Sequence, residues 1–496
     1  MAVMAAVDLG AQSGRVAVGR FDGERLGVTE VHRFRNQPVR TGGTLQWDIL
    51  GLYRDVLDGL RAAGREAGRI DALGVDSWGV DFGVVDRKGR LVRNPVHYRD
   101  GRRAEAVSSV LDRVPARELY ERTGIQLMPI NTVFELGAMA ADDDPALAAG
   151  DTLLLVPDLI HHWLCGARTS EFTNATTTQC WDPRSGAWAT DLLERLDVPV
   201  RLLPEVVPPG TCLAPLTHEV AEDTRLGDAA VLAVATHDTG SAVAAIPFGT
   251  PTSAFISAGT WSLVGVEVRE PVITDITFAA NLTNEGGVAG TFRLLRNVTG
   301  LWLIHECQRA WALEGRDYSF DQLIALAKQA PALQSFIEPN DPAFAEPGDM
   351  VARVRAFCAH TGQTEPVEPG EVVRCVLESL ALKHAQTVDL LASVTGTSPR
   401  ELHVVGGGAG NELLCRWTAD ASGRPVHAGP EEATLLGNLL VQAMSLGEIT
   451  SLSEAREIAA ASFAPTTYEP HETPAWQEAR EQFTTAVALP TLEVGA

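Results

Sequence analysis

Apolar and polar positions change rhythm repeatedly along the chain, and the rhythm predicts elements of both kinds. Within the first 35 residues, short apolar runs at 5–10, 15–21 and 26–34 are separated by bends, one of them marked by Asp22-Gly23. That pattern predicts strand, turn, strand, turn, strand. The period then lengthens. Ile49, Leu52, Tyr53, Val56, Leu57 and Leu60 recur at three- and four-residue spacing, the stripe of an amphipathic helix over 48–65. The stretch DALGVDSWGVDFGVVD, 71–86, reads as two short buried strands meeting at Trp78 and Gly79. Helices are predicted at 101–112, 132–141 and 156–165, and the proline-rich LLPEVVPPG at 202–210 as a loop. Residues 229–246 pass from an apolar strand through a turn into a small-residue helix.

Near residue 250 the opening pattern returns. An apolar run ends at Gly259, bends through Thr260 and leaves as a second strand over 262–268, as the run ending at Gly10 leaves through Ser13. The offset is about half the chain, which an internally duplicated architecture predicts. Helices follow at 301–313, 320–329, 349–360 and 371–394. After them come a strand at 402–405 and a glycine turn into a helix over 406–423. From about 447 the segment is expected at the periphery. Alternating strands and helices in two similar halves predict an α/β protein, residues 1–247 forming one domain and 248–496 the other, around a central cleft.

Length agrees, since 496 residues exceed what one core usually serves. The net charge of −24 changes the functional picture more. So acidic a surface repels phosphate backbones and anionic lipid, so neither a nucleic acid nor a membrane is expected as a partner. Seven cysteines without a CxxC pair argue against structural zinc and for a reduced, cytoplasmic setting; Cys358 and Cys375 read as buried thiols. The opening MAVMAAVDLG lacks a basic region and reads as no secretory leader.

The chemistry concentrates at the turns. No GxxxxGK[ST] occurs, and GGGAGN places Asn411 where GxGxxG requires glycine. The bend after Asp8 leads instead into a strand, matching the phosphate-binding hairpin of the actin-like ATPase architecture. There Asp8 would orient Mg²⁺ through water, while Gln12, Ser13 and Arg15 would offer donors to phosphate; the alternative is an ordinary hairpin with a solvated acid. Gly259 and Thr260 in SAGTWSL would touch phosphate from the other half, and VVGGGAGN would let a base or ribose lie against bare backbone. Asp238 in ATHDTGSAV falls at a strand end, where a base could take the proton of an alcohol attacking a γ-phosphate; the competing reading is a helix cap. Trp78, Gly79, Asp81 and Asn297 are of the types that recognise sugars, with core filler and helix cap as the plain readings of Trp78 and Asn297.

Together VDLGAQSGR, DSWGVDFG, FELGAM, THDTGSAV, SAGTWSL, NEGG, RLLRNVTGLWL and VVGGGAGN resemble the FGGY carbohydrate kinases, in order, from about residue 4 to about 446. The resemblance implies a duplicated actin-like (ribonuclease H-like) fold closing on ATP and a sugar. It implies transfer of the γ-phosphoryl of Mg-ATP to the C1 hydroxyl of L-rhamnulose, with fuculose, xylulose or another polyol as the next candidates. A non-catalytic actin-like ATP- or sugar-binding protein is the alternative from another class. Carried over by motif, Asp238 is the proton acceptor, and Gly79, His237, Asp238, Thr239 and Asn297 line the sugar site. Ala11, Gln12, Ser13, Gly14, Arg15, Thr260, Gly406, Gly407 and Gly408 contact ATP. His305 stands where the family commonly carries a glutamine near the nucleotide. A monomer or small homo-oligomer is expected.

Overall fold

The computed structural model describes residues 2–248, 252–471 and 474–486. They form two compact units. Of the described residues, the first comprises those within 2–247, 267–294 and 432–463, and the second those within 248–266, 295–431 and 464–486. The chain first changes unit at Pro247–Phe248, yet two later segments return to the first unit.

In the first unit one mixed sheet carries β1 (Ala2–Leu9), β2 (Ser13–Phe21), β3 (Leu26–Arg35), β4 (Ala72–Ser77), β5 (Thr211–Pro215) and β6 (Ala230–Ala233). Their order is β5-β6-β4-β1-β2-β3. β2 pairs antiparallel with β1 and β3, β4 runs parallel to both β1 and β6, and β5 is antiparallel to β6. β1 is central and buried almost throughout, which explains its unbroken apolar run: a strand covered on both faces needs no polar alternation. Ala2, Met4, Ala6, Ala17 and Phe21 pack against Leu435, Leu436, Leu439 and Leu440 of the helix Ala433–Ser445.

The same cluster takes in Ile449, Ala455, Ile458 and Ala459, the last three from the helix Leu452–Ser462. Residues 449–459 of the segment expected at the periphery therefore belong to the core of the first unit. In the helix Leu452–Ser462 four of the six apolar positions are alanines, too small to stand out as a stripe. Two other expectations are corrected. The loop at 202–210 contains a short strand, Glu205–Val207, paired parallel with Thr169–Glu171. The strands within 71–86 separate at Trp78–Asp81: the first is β4, whereas Phe82–Val85 joins a three-stranded sheet with Leu91–Arg93 and Thr152–Leu155.

In the second unit β7 (Ser253–Ala258), β8 (Trp261–Val268), β9 (Glu401–Val405), β10 (Val426–Ala428) and β11 (Thr466–Tyr468) neighbour one another in the order β8-β7-β9-β10-β11. β8–β7 is antiparallel, β7–β9 and β9–β10 are parallel, and β10–β11 is antiparallel. The succession β2-β1-β4-β6-β5 has the same directions, so each unit repeats one strand plan. Only the edge strand enters at a different point of the chain. Cys358 and Cys375 are buried free thiols whose sulfurs share a hydrogen bond at 4.0 Å, with no disulfide between them. No described helix is long and apolar enough to cross a membrane.

Candidate active site

In the first unit the site grows from strand ends. β1 stops at Leu9, and the bend before β2 is closed by the Gly10 N–H donating to the Ser13 carbonyl at 3.0 Å. Asn36 pins it from beyond β3: its backbone N–H donates to Gln12 O at 3.0 Å and its side-chain amide to Gly10 O at 2.9 Å. Ala11 and Ser13 are half-buried, Gln12 is exposed and Gly14 is buried against the Phe34 ring. Asp8 lies opposite Arg15 in the antiparallel register and opposite Asp76 in the parallel one. Arg15 Nε donates to Asp8 Oδ2 at 2.9 Å, and its Nη1 pairs with Glu432.

Asp76 is wholly buried. Its Oδ2 accepts from the Asn438 side chain at 2.6 Å, while its Oδ1 has no partner. Burial raises the Asp8 carboxyl to about 6, with Arg15 opposing and Asp238 and Glu432 adding. Burial, then the charge of Asp8, holds Asp76 well above the carboxylate range, with Asn438 opposing and Asp238 adding. Asp8, Asp76 and Asp238 thus lie within electrostatic reach of one another, a concentration of negative potential that disfavours simultaneous ionisation.

Asp238 comes from the segment after β6. That segment runs beside the end of β4: Ser77 N–H donates to Thr236 O at 2.9 Å, and Ser77 bridges His237 in parallel fashion. The helix Asp238–Ala244 begins at once. Asp238 Oδ1 accepts from Thr239 N at 2.5 Å and Thr239 Oγ1 at 3.1 Å, so one oxygen is held by the next residue. The N-cap of this helix is His237 and it has no side-chain cap hydrogen bond, so the cap reading of Asp238 fails. Its Oδ2 takes no hydrogen bond from any described residue.

The strand end is held rigid by a carboxylate that sequence reasoning missed. Glu171 is fully buried and accepts from Thr173 N and Thr236 N at 2.9 Å each, from Thr236 Oγ1 at 2.8 Å and from Thr173 Oγ1 at 2.5 Å. His237 N–H then donates to Thr173 Oγ1 at 3.1 Å. On its ring side His237 faces Arg293 and Glu285, also unforeseen, as were Asp76 and Asn438. NEGG and RLLRNVTGLWL carry part of the resemblance, but nothing in the sequence attaches a role to their charges.

Gly79 sits where a Cβ would meet Thr177 Oγ1 at 2.8 Å. Val80 beside it has φ +68°, a strained value for a β-branched residue. Its N–H donates to Thr177 Oγ1 at 3.3 Å and its carbonyl accepts from Thr132 Oγ1 at 2.7 Å, so the loop is fixed from both sides. Asp81, a candidate for sugar contact, is committed elsewhere. Its oxygens accept from Trp47, Trp78, Arg103 and the backbone of Tyr98, and it is buried. Trp78 is largely buried and packs on Trp47 at 4.1 Å between ring centroids, the rings tilted by 36°. Both act as scaffold.

The second unit assembles its own glycine-lined corner. Gly259 N–H donates to Trp261 O at 2.7 Å, closing the bend that carries half-buried Thr260. The Thr260 carbonyl accepts from Gly300 N at 3.1 Å and Trp302 N at 3.3 Å. A Cβ on Gly300 would stand 2.7 Å from Gly259 O, and one on Gly408 would press 2.5 Å from Ala258 Cβ. Gly406 has φ +79° and approaches Ala258 O in the same way. Gly406 and Gly408 thus pack on Ala258, two residues before Thr260, while Gly407 has open space around it. Asn297 lies in the strand Phe292–Thr299, not at a helix start, so the cap reading of it fails. Its carbonyl accepts from Asn340 at 3.2 Å. His305 is half-buried near the Phe320 ring at 5.7 Å, and burial lowers its pKa.

Two family descriptions match: the N-terminal domain of the FGGY family of carbohydrate kinases over residues 3–245 and its C-terminal domain over 254–446. This chain belongs to the FGGY family of carbohydrate kinases. It is 41% identical to a rhamnulokinase of Bacteroides thetaiotaomicron over 97% of this chain and 99% of that one. It is 39% identical to a rhamnulokinase of Enterococcus faecalis over 94% and 93%. In fold it is similar to a ligand-bound xylulose kinase from Lactobacillus acidophilus, with TM-score 0.81, 16% identity and full coverage of both chains. It is also similar to Plasmodium falciparum glycerol kinase with ADP, with TM-score 0.76, 14% identity and 98% and 97% coverage. The two-unit, actin-like plan is thus that of an FGGY kinase.

Proposed function

We propose that this chain phosphorylates L-rhamnulose on its C1 hydroxyl with ATP, giving L-rhamnulose 1-phosphate and ADP. The likeness to the two rhamnulokinases supports the choice of sugar. The observation that carries the chemistry is Asp238: one oxygen is fixed by its own helix turn, and the other is open at a strand end rigidified by Glu171. In this reading Asp238 Oδ2 accepts the C1 hydroxyl proton while the C1 oxygen of the sugar bonds to the γ-phosphorus and the bond from γ-phosphorus to the ADP oxygen breaks. His237, Thr239, Gly79 and Asn297 would contact the ketose. The 11–15 bend, Thr260, His305 and Gly406–Gly408 would contact ATP.

Among the described residues no group of three side chains could hold a metal by itself, so a Mg²⁺ here would be carried mainly by phosphate oxygens and water, with Asp8 orienting it. Such sites hold the ion by one or two carboxylates plus phosphate oxygens and water, and Asp8 is a buried carboxylate beside two others whose mutual repulsion a cation would relieve. Mg²⁺ when bound would neutralise charge on the phosphates. Arg15, paired with Asp8 and Glu432, would keep the acid in place until then.

An ADP-release assay across L-rhamnulose, L-fuculose, D-xylulose and glycerol tests the reading. L-Rhamnulose should give the highest kcat/KM, by about tenfold or more, the discrimination that a few altered hydroxyl contacts supply. A higher value for another acceptor, or no ADP release with any, contradicts it.

A further inference from the structure

His237 is held between three charged groups, and the arrangement dictates where its ring proton sits. Arg293 is fully buried; its Nε donates to Gly286 O at 2.9 Å and its Nη2 lies 3.0 Å from His237 Nδ1. A guanidinium offers donors only, so Nδ1 must present its lone pair and the ring proton must reside on Nε2. That nitrogen stands 3.5 Å from Asp238 Oδ1. Glu285 Oε2 is 3.4 Å from both His237 Nδ1 and Arg293 Nη1. Without the guanidinium, the ring would favour the opposite tautomer, with Nδ1–H turned to Glu285 and a bare Nε2 facing the Asp238 oxygen.

We infer that Arg293 is a positioning residue. It fixes His237 as the Nε2–H tautomer, and this N–H, facing Asp238 Oδ1 across 3.5 Å, adds an electrostatic pull to the two Thr239 hydrogen bonds that hold Oδ1, so that Oδ2 stays free for the acceptor alcohol. The inference rests on Asp238 being the base in the reaction proposed above. Losing the restraint leaves two acceptors face to face and rotates the carboxylate away from its productive setting. Misplacement of a reacting group by about 1 Å costs on the order of 10²-fold in rate.

The direct test is nitrogen NMR on the full chain labelled with ¹⁵N-histidine, without sugar or nucleotide, the His237 signals being assigned by their loss in His237→Gln. Nε2 should carry the proton and Nδ1 should be bare; a protonated Nδ1, alone or with Nε2, overturns the inference. Because this readout needs no substrate, it separates from the identity of the sugar and from the role of Asp238. In Arg293→Met the proton should move to Nδ1. The kcat on the best ketose should then fall about 10- to 100-fold, with KM changed less than about threefold. Arg293→Lys, which keeps a donor near Nδ1, should retain the tautomer and most of kcat. An unchanged tautomer and kcat in Arg293→Met, or equal losses in the two variants, contradicts it.

Discussion

Glu171, Asp76 and Arg293 are charged residues with almost no water contact, and each owes its place to partners far away in sequence. That distance is why they were not legible. Asp8 and Asp238 ended apolar runs and could be read as strand-end acids, whereas Glu171 sits in an unremarkable TSEFTN. Its four donors are assembled only when Thr236 arrives from 65 residues on. Asp81 misled in the opposite sense: a sugar-like DSWGVD context, but with its oxygens already used by two indoles and an arginine. Buried titratable groups also set the acid response. His161 is fully buried with both ring nitrogens unpartnered, and burial lowers its pKa to about 3. The unfolded chain binds its proton below about 6.5, so His161 withdraws stability as pH falls from 6.5 towards 3. Asp8 acts with opposite sign, because its raised carboxyl takes up a proton in the folded state first. In His161→Leu, denaturant unfolding should show the loss of stability between pH 7 and pH 5 shrinking by about 2 kcal/mol relative to the wild type. An identical pH response in the two proteins contradicts the assignment.

Elements that were long and strongly periodic were the legible ones. The helix Ile49–Ala67 carries a clean stripe, and helices Gly101–Arg113, Thr132–Ala141 and Val156–Cys165 lie within a residue of their expected spans. The helix Ala433–Ser445 was missed although it supplies Asn438 beneath Asp76. It is buried around nearly its whole circumference, so no polar face gave it a period. Its Gly437 lies where a Cβ would overlap the Ser241 carbonyl of the Asp238 helix. That bare backbone lets the two helices pack at close range. Gly437→Ala should push them apart, lowering stability by about 1–3 kcal/mol, the usual cost of overpacking, and reducing kcat through the displaced Asp238. Unfolding midpoints and ketose kinetics measure both effects; an unaltered midpoint would mean that the helices pack more loosely than described.

Across the whole molecule, duplication was readable as two glycine-bearing bends half a chain apart, and the strand directions of the two units repeat. What could not be read was that residues 267–294 and 432–463 rejoin the first unit. Linear order cannot disclose such returns, and they bring Arg293, Glu285, Glu432 and Asn438 to the strand ends that carry Asp8 and Asp238. The molecule carries a net charge of −24, so the places where it accepts a triphosphate must rely on local amides and cations. The central claim is that Asp238 takes the proton from the attacking alcohol. Single-turnover phosphorylation of L-rhamnulose by Asp238→Asn, beside ATP binding by the same protein, measures it most directly. The account predicts a rate lowered about 10²- to 10⁴-fold with ATP affinity within about threefold of wild type; a near-wild-type rate would contradict it.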